Sequence, residues 1–353
     1  MDVAAPSRAS DELPSELAAD TDTGTLGIYR LKRYWSRVRL AQQGRPVRVS
    51  KREHHLDHLV LHATGIGLEQ TASFLGRNAP SLAEFEGWIV ATRGGVDPAR
   101  VARINAAVTG NEYSDEVKRS LAAIDASEWV LSEQDIAFWH EHGYVLLHDA
   151  VPADAADAAA QALWDHLGAH PDNPKTWYRG GNHSIMVQYF QHPAFEANRH
   201  SRRIHKAFAQ LWGTTDLWVT TDRVGFNVPE REGWKFPGPD LHWDVSLKTP
   251  IPLGMQGILY LTDTPPEQGA FTLVPGFHRR VGDWLASLPP GADPRRQDLS
   301  ALGSQPIGGR AGDLIIWHHA LPHGSRPNRG TRPRMVQYIA MFPTEVEEQD
   351  EWI

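Results

Sequence analysis

The sequence predicts an α+β protein in which helices come first and a jelly roll or β-sandwich with packed helices follows. Three observations carry this. Apolar residues recur at helical spacing through residues 27–125. From Trp218 onward, short apolar β-rich runs alternate with Pro/Gly turns. No internal repeat organises either part.

Residues 1–26 are rich in Ala, Ser, Asp and Pro with few large apolar side chains, and read as a disordered tail. Residues 27–125 form a helical accessory segment. Ile28, Leu31, Tyr34, Trp35 and Val38 mark one helix, ending before Gly44. A second is expected from His55 to about Leu75. Ser81-Leu82-Ala83-Glu84 is a capping box that opens a third through Phe85, Trp88 and Ile89, stopped near Gly94-Gly95. Asp97-Pro98 starts a fourth, with proline at the first helical position. The segment suits a lid, a dimer surface or a packed buttress, and the buttress is preferred.

Residues 126–353 form the main domain. Leu131-Ser132-Glu133-Gln134 leads a short helix through Phe138 and Trp139. Gly143–Leu147 reads as a strand, and an Ala-rich helix spans about 153–167. Strands are then expected over 217–221, 223–228, 242–247, 255–262, 270–274, 306–309, 313–318 and 334–342, and Met186–Gln191 is a further candidate strand.

Bulk properties narrow the chemistry. Among 353 residues the net charge is −8, which argues against nucleic-acid or anionic-membrane partners. There are no cysteines, so thiolate metal sites and cysteine nucleophiles are excluded and any metal must use His, Asp or Glu. No apolar run is long enough to span a membrane, and the N-terminus does not read as a secretory signal. A cytoplasmic monomer or homodimer is the expectation.

His242-Trp243-Asp244 is the most informative motif. On an extended strand, period-2 alternation puts the imidazole and carboxylate on one side and turns Trp243 the other way to pack. A second imidazole, His323, arrives from far along the chain. Two histidines and one carboxylate can cover one face of an Fe(II) ion and leave its other positions open for oxygen and a co-substrate. Arg334 follows, opening the run Arg334–Phe342. Burying a guanidinium is costly without an anionic partner, and its fork matches a carboxylate. Arg334 near the ligands therefore predicts a dicarboxylate co-substrate.

Together these residues resemble the Fe(II)/2-oxoglutarate dioxygenases, and within them the phytanoyl-CoA dioxygenase family. The resemblance is carried by Phe138–Leu147, His242-Trp243-Asp244, Ile258–Asp263, Glu267–Ala270, Val274-Pro275-Gly276-Phe277-His278, His323-Gly324-Ser325 and Arg334, in the family's order over about 130–345. Gln268 and Phe277 depart from residues common in that family, and residues 27–125 are not explained by it. The resemblance implies a double-stranded β-helix, a cupin-like jelly roll. It implies that His242, Asp244 and His323 hold Fe(II), that Arg334 grips the far carboxylate of 2-oxoglutarate, and that O2 is the other co-substrate. Succinate and CO2 would be released as an unactivated C–H of a small molecule, possibly a secondary metabolite, is hydroxylated, with ascorbate as reductant in vitro. Retention of Asp244 favours hydroxylation over halogenation; desaturation and ring formation stay open.

Other assignments carry alternatives. Gln188, Arg223, Asn227 and Tyr260 sit on strands expected beside the site; one or two of them would reach oxoglutarate or substrate, while Arg223 equally suits a salt bridge. Lys248 is either exposed or a partner for a substrate carboxylate. His318 and His319 compete with His323, and His278 reads as structural. His54, His58 and His62 share one helix face without the rest of a zinc motif, and read as a packed or solvated face. Two further readings remain: an oxoglutarate-independent cupin-type isomerase or oxygenase, and a non-catalytic jelly-roll binding protein.

Overall fold

Eleven strands and eleven α-helices are formed in the computed structural model, which describes residues 14–178, 184–347, 349 and 351–353. Two compact units divide the chain, Met1–Val117 and Lys118–Ile353. No helix among the described residues is long and apolar enough to cross a membrane.

The first unit is helical. It contains α1 (Leu31–Gln42), α2 (Lys51–Thr64), α3 (Leu68–Asn78), α4 (Leu82–Arg93), α5 (Pro98–Thr109) and the start of α6 (Asp115–Asp125). The single helix expected over 55–75 is two. Gly65 takes a left-handed conformation (φ 84°) that closes α2, and Gly67 begins α3. The capping box at Ser81–Glu84 forms, and Asp97 caps α5 ahead of Pro98. The tail expected over 1–26 lies outside the described residues up to 13. From Pro14 onward it is irregular but held. The buried Glu86 carboxylate accepts from the Thr25 and Leu26 N–H groups and the Thr25 hydroxyl, and the Ala18 N–H donates to Ser36. Polar composition misled here because one buried acid supplies what a ladder otherwise would.

In the second unit, α7 (Glu133–His142) leads into β1 (Tyr144–Leu147), and α8 (Ala153–Leu167) follows. Then come β2 (Met186–Val187), α9 (Pro193–Arg199), α10 (Arg202–Trp212), β3 (Leu217–Val219), β4 (Val224–Asn227), β5 (Met255–Tyr260), β6 (Phe271–Leu273), α11 (Val281–Ser287), β7 (Gln305–Ile307), β8 (Leu314–His318), β9 (His323–Gly324), β10 (Arg334–Tyr338) and β11 (Met341–Pro343). One antiparallel sheet runs β1-β8-β5-β10-β4-β2, a second runs β7-β6-β9, and β3 pairs with β11.

Side-chain alternation sorts the large sheet's two faces. Val145, Leu147, Phe226, Met255, Leu259, Leu314, Ile316 and Met335 share a core with Ala159, Leu163, Phe195 and Phe208 of the helices. Ile258, Tyr260, Ile315, Trp317 and Val336 turn the opposite way and share a second core with Phe271 and Leu273 of the small sheet. Arg334 lies two residues from Val336, so it faces the space between the sheets.

Three expected strands are revised. The candidate over 186–191 is a strand only at Met186–Val187. The run 334–342 breaks at Ile339-Ala340, so β10 and β11 belong to different sheets. The strand over 242–247 does not form; only His242 makes a bridge, exchanging both backbone hydrogen bonds with His323. Beyond it the carbonyls of Trp243 and Val245 accept from Arg295 instead of a neighbouring strand.

Candidate metal centre

The His242–His323 bridge is what brings the two distant motifs together. Ligand atoms of His242, Asp244 and His323 all lie within 4.8 Å of one another, the one such group of three among the described residues. His242 Nε2 is 3.4 Å from Asp244 Oδ1, and His323 Nε2 is 3.3 Å from Asp244 Oδ2. Neighbouring ligands on one ion with bonds of about 2.1 Å stand about 3 Å apart, so these separations suit a shared metal.

Each imidazole is oriented from behind. His242 Nδ1 lies 2.7 Å from the Asp240 carbonyl, and His323 Nδ1 lies 3.0 Å from the Leu321 carbonyl. A carbonyl only accepts, so both rings carry a proton on Nδ1, which leaves Nε2 as the ring atom turned to the centre and free to ligate a metal once it carries no proton. Gln256, on β5, donates to Asp244 Oδ2 at 2.8 Å. Burial pushes Asp244 up, but hydrogen bonds from His242, His323 and Gln256 overcome it and hold the carboxyl far below the usual range. Burial likewise pushes His242 down, yet Asp244 and the Asp240 carbonyl raise it above its ordinary value. The acid is thus ionised, as a metal ligand must be. His323 is buried while His242 and Asp244 are partly exposed, which leaves one side of the centre open.

Arg334 is fully buried on β10. Its Nη1 donates to Ser325 Oγ at 3.1 Å, but its Nε and Nη2 have no hydrogen-bond partner among the described residues. A buried, half-satisfied guanidinium is a poor structural element and a good carboxylate receptor. The donor set and this orphaned fork fit a non-haem Fe(II) ion with a carboxylate co-substrate.

The remaining expected residues divide. Asn227 is buried directly across the ladder from Arg334. Tyr260 is fully buried, but its hydroxyl donates to the Ile307 carbonyl at 2.6 Å and accepts from the Phe271 N–H at 3.0 Å. It links the two sheets in place of the expected pocket role, and burial pushes its phenol up to about 12 against the nearby Arg334 charge. Arg223 sits four residues before Asn227, about 13 Å along an extended chain, with Asp222 at 3.4 Å. Gln188 is exposed just beyond β2. Lys248 pairs with Glu351 at 3.1 Å.

Of the competing histidines, His318 Nδ1 accepts from the Ala320 N–H, and burial pushes that ring down to about 3. His278 Nε2 meets the His140 carbonyl and closes its turn against the end of α7. Trp243 is buried against Phe277 and Trp284, its indole donating to Ala320. His54 and His58 are exposed and His62 is buried, with no third ligand joining them among the described residues.

Sequence reasoning missed Gln256, Ser325 as partner of Arg334, and Arg295. Ser325 had a signal, two positions after His323. Gln256 and Arg295 had none, because their roles depend on which strands become neighbours.

A family model for phytanoyl-CoA dioxygenase (PhyH) matches residues 139–336. A Dictyostelium discoideum protein named "Putative phytanoyl-CoA dioxygenase" is 26% identical over 259 residues, covering 59% of this chain and 74% of its own. An Aspergillus versicolor protein named "Ava biosynthesis cluster protein O" is 24% identical over 239 residues, 58% of this chain and 76% of its own. Among solved structures, EctD from S. alaskensis with bound Fe is 19% identical at a TM-score of 0.45, covering 63% of this chain and 83% of its own. The family match takes in His242, Asp244, His323 and Arg334 and spans more than half of the residues, so the chain belongs to the phytanoyl-CoA dioxygenase family.

Proposed function

We propose that the protein is an Fe(II)- and 2-oxoglutarate-dependent dioxygenase that hydroxylates a C–H bond of a small molecule, releasing succinate and CO2. The observation that carries the reading is the pairing of one His/Asp/His cluster with one buried, half-satisfied guanidinium. His242, Asp244 and His323 would hold the iron, and Arg334 with Ser325 would receive the distal carboxylate of 2-oxoglutarate. Bound iron supplies the activation of O2. The protein's own part is to orient the ligands, fix the co-substrate and place the substrate C–H while excluding water. A jelly-roll arrangement of the two larger sheets would suit this, with Arg334 facing the space between them.

Arg334 separates this reading from an oxoglutarate-independent metalloenzyme, which needs no buried receptor for a dicarboxylate. The test is succinate release from 2-oxoglutarate with Fe(II), ascorbate and O2 across a panel of small molecules. Turnover is expected to need His242 and Arg334. Undiminished turnover in both His242→Ala and Arg334→Ala would overturn the reading.

A further inference from the structure

Asp244 is the exposed member of the centre and stands on a segment that forms no ladder, yet its position is fixed from two sides. Arg295 supplies the first. It sits in a one-turn 3-10 helix, Pro294–Arg296, whose start is capped by Asp293 accepting from the Arg295 N–H at 2.9 Å. Its Nη1 donates to the Trp243 carbonyl at 2.8 Å, and its Nη2 donates to the carbonyls of Val245 and, at 2.9 Å, Ile353. One rigid guanidinium thus pins the residues immediately before and after Asp244. The chain bends at Asp244 and Val245, and the planar fork of Arg295 spans the two carbonyls that flank Asp244.

Gln256 supplies the second. It lies on the same face of β5 as Ile258 and Tyr260, the face turned toward the small sheet. Its Nε2 holds Asp244 Oδ2 at 2.8 Å, while its Oε1 is buried with no partner among the described residues. An amide left half-satisfied argues that its contact with the carboxylate fixes where it stands.

We propose that Arg295 and Gln256 are positioning residues that hold Asp244 in its metal-binding geometry, Arg295 through the backbone and Gln256 through the carboxylate. The proposal rests on the reading of His242, Asp244 and His323 as a metal site. Neither residue is one of the three proposed ligands; together they replace the strand pairing that the segment after His242 lacks.

The experiment is an anaerobic Co(II) titration of the full-length metal-free protein, read by calorimetry and by the visible absorption bands of bound Co(II). Wild type, His242→Ala, Arg295→Ala, Arg295→Lys and Gln256→Ala are compared, with circular dichroism to check folding. Arg295→Ala and Gln256→Ala are expected to weaken Co(II) binding about 10–100-fold and alter the bands, as for other residues that orient metal ligands. Arg295→Lys is expected to recover only part, since one ammonium cannot span two carbonyls. Should Arg295→Ala not fold, Arg295→Lys and Gln256→Ala carry the test. If wild type binds and His242→Ala does not, while the folded Arg295 and Gln256 variants bind within about twofold of wild type, this proposal alone is overturned. If wild type binds no Co(II), the metal-site reading falls and this one with it.

Discussion

Arg334 stands directly opposite Asn227 in the β10–β4 ladder, and each carries a buried polar atom that no described residue satisfies. On Arg334 these are donors, Nε and Nη2; on Asn227 it is an acceptor, Oδ1. The two side chains do not bond to each other; the Asn227 amide nitrogen donates to the Arg326 carbonyl and the Arg334 Nη1 to Ser325.

Arg334→Met should separate stability from binding. Replacing a buried, incompletely paired charge by an apolar side chain of similar length is neutral or stabilising, by about 1–4 kcal/mol. Losing the receptor for a buried carboxylate costs about 2–5 kcal/mol, or upward of 30-fold in affinity. The metal-free variant is therefore expected to melt at or above wild type, while anaerobic titration shows 2-oxoglutarate binding at least about 30-fold weaker. Unchanged oxoglutarate affinity would remove Arg334 from its proposed role.

The His242–Asp244 pair gives the metal-free protein a pH signature. A histidine with a raised folded pKa contributes stability that is complete below its unfolded value, near 6.5, and fades as pH rises through the folded value. The depressed Asp244 contributes above its unfolded value, 3.8, and loses that only as pH falls toward the folded one. Asp244→Asn should therefore lower the melting temperature more at about pH 5.5 than at about pH 8.5, because His242 carries more of its positive charge at the lower pH. Metal binding must expel that proton, so apparent Co(II) affinity should climb over the same interval and then level off. Melting curves and titrations at both pH values check the two slopes.

In the helical unit, Asp57 is buried between Arg30, at 2.9 Å, and Arg37, at 2.8 Å. Burial pushes its carboxyl up, and the two guanidinium groups oppose this. Arg30 is itself buried, so Asp57→Ala leaves a guanidinium without one of its acid partners. Breaking a buried pair costs about 3–5 kcal/mol. Urea unfolding should register that loss, and a change within about 0.5 kcal/mol would mean that water already screens the cluster.

Local signals made much of this protein legible. Ser81 with Glu84, Pro98 after Asp97, and the Ala-rich run at 153–167 each define a helix from contiguous residues. His242, Asp244 and His323 were legible from residue type and the His-x-Asp spacing, and Arg334 because a guanidinium is costly to bury without an anionic partner. What escaped depends on long-range pairing. The segment after His242 looks like a strand locally, but its backbone partners come from Arg295. Tyr260 reads as a pocket residue until Ile307 and Phe271 claim its hydroxyl.

Gly257 is a last case of information held in pairing alone. It lies mid-strand in β5, where glycine is ordinarily a weakness. A Cβ there would stand 2.3 Å from the Ile339 carbonyl oxygen and 3.2 Å from the Phe208 ring. The first neighbour is backbone, in the segment where β10 ends, and cannot swing aside as a side-chain tip would. The Ile339 N–H also donates to the Gly257 carbonyl at 3.0 Å, so displacing that backbone strains an existing hydrogen bond. Gly257→Ala should cost about 1–3 kcal/mol, as overpacking does. Because β10 carries Arg334 at its other end, the variant's oxoglutarate affinity reports whether the shift travels along the strand. A melting temperature equal to wild type would mean that the Ile339 backbone yields freely and that the close approach is not a constraint.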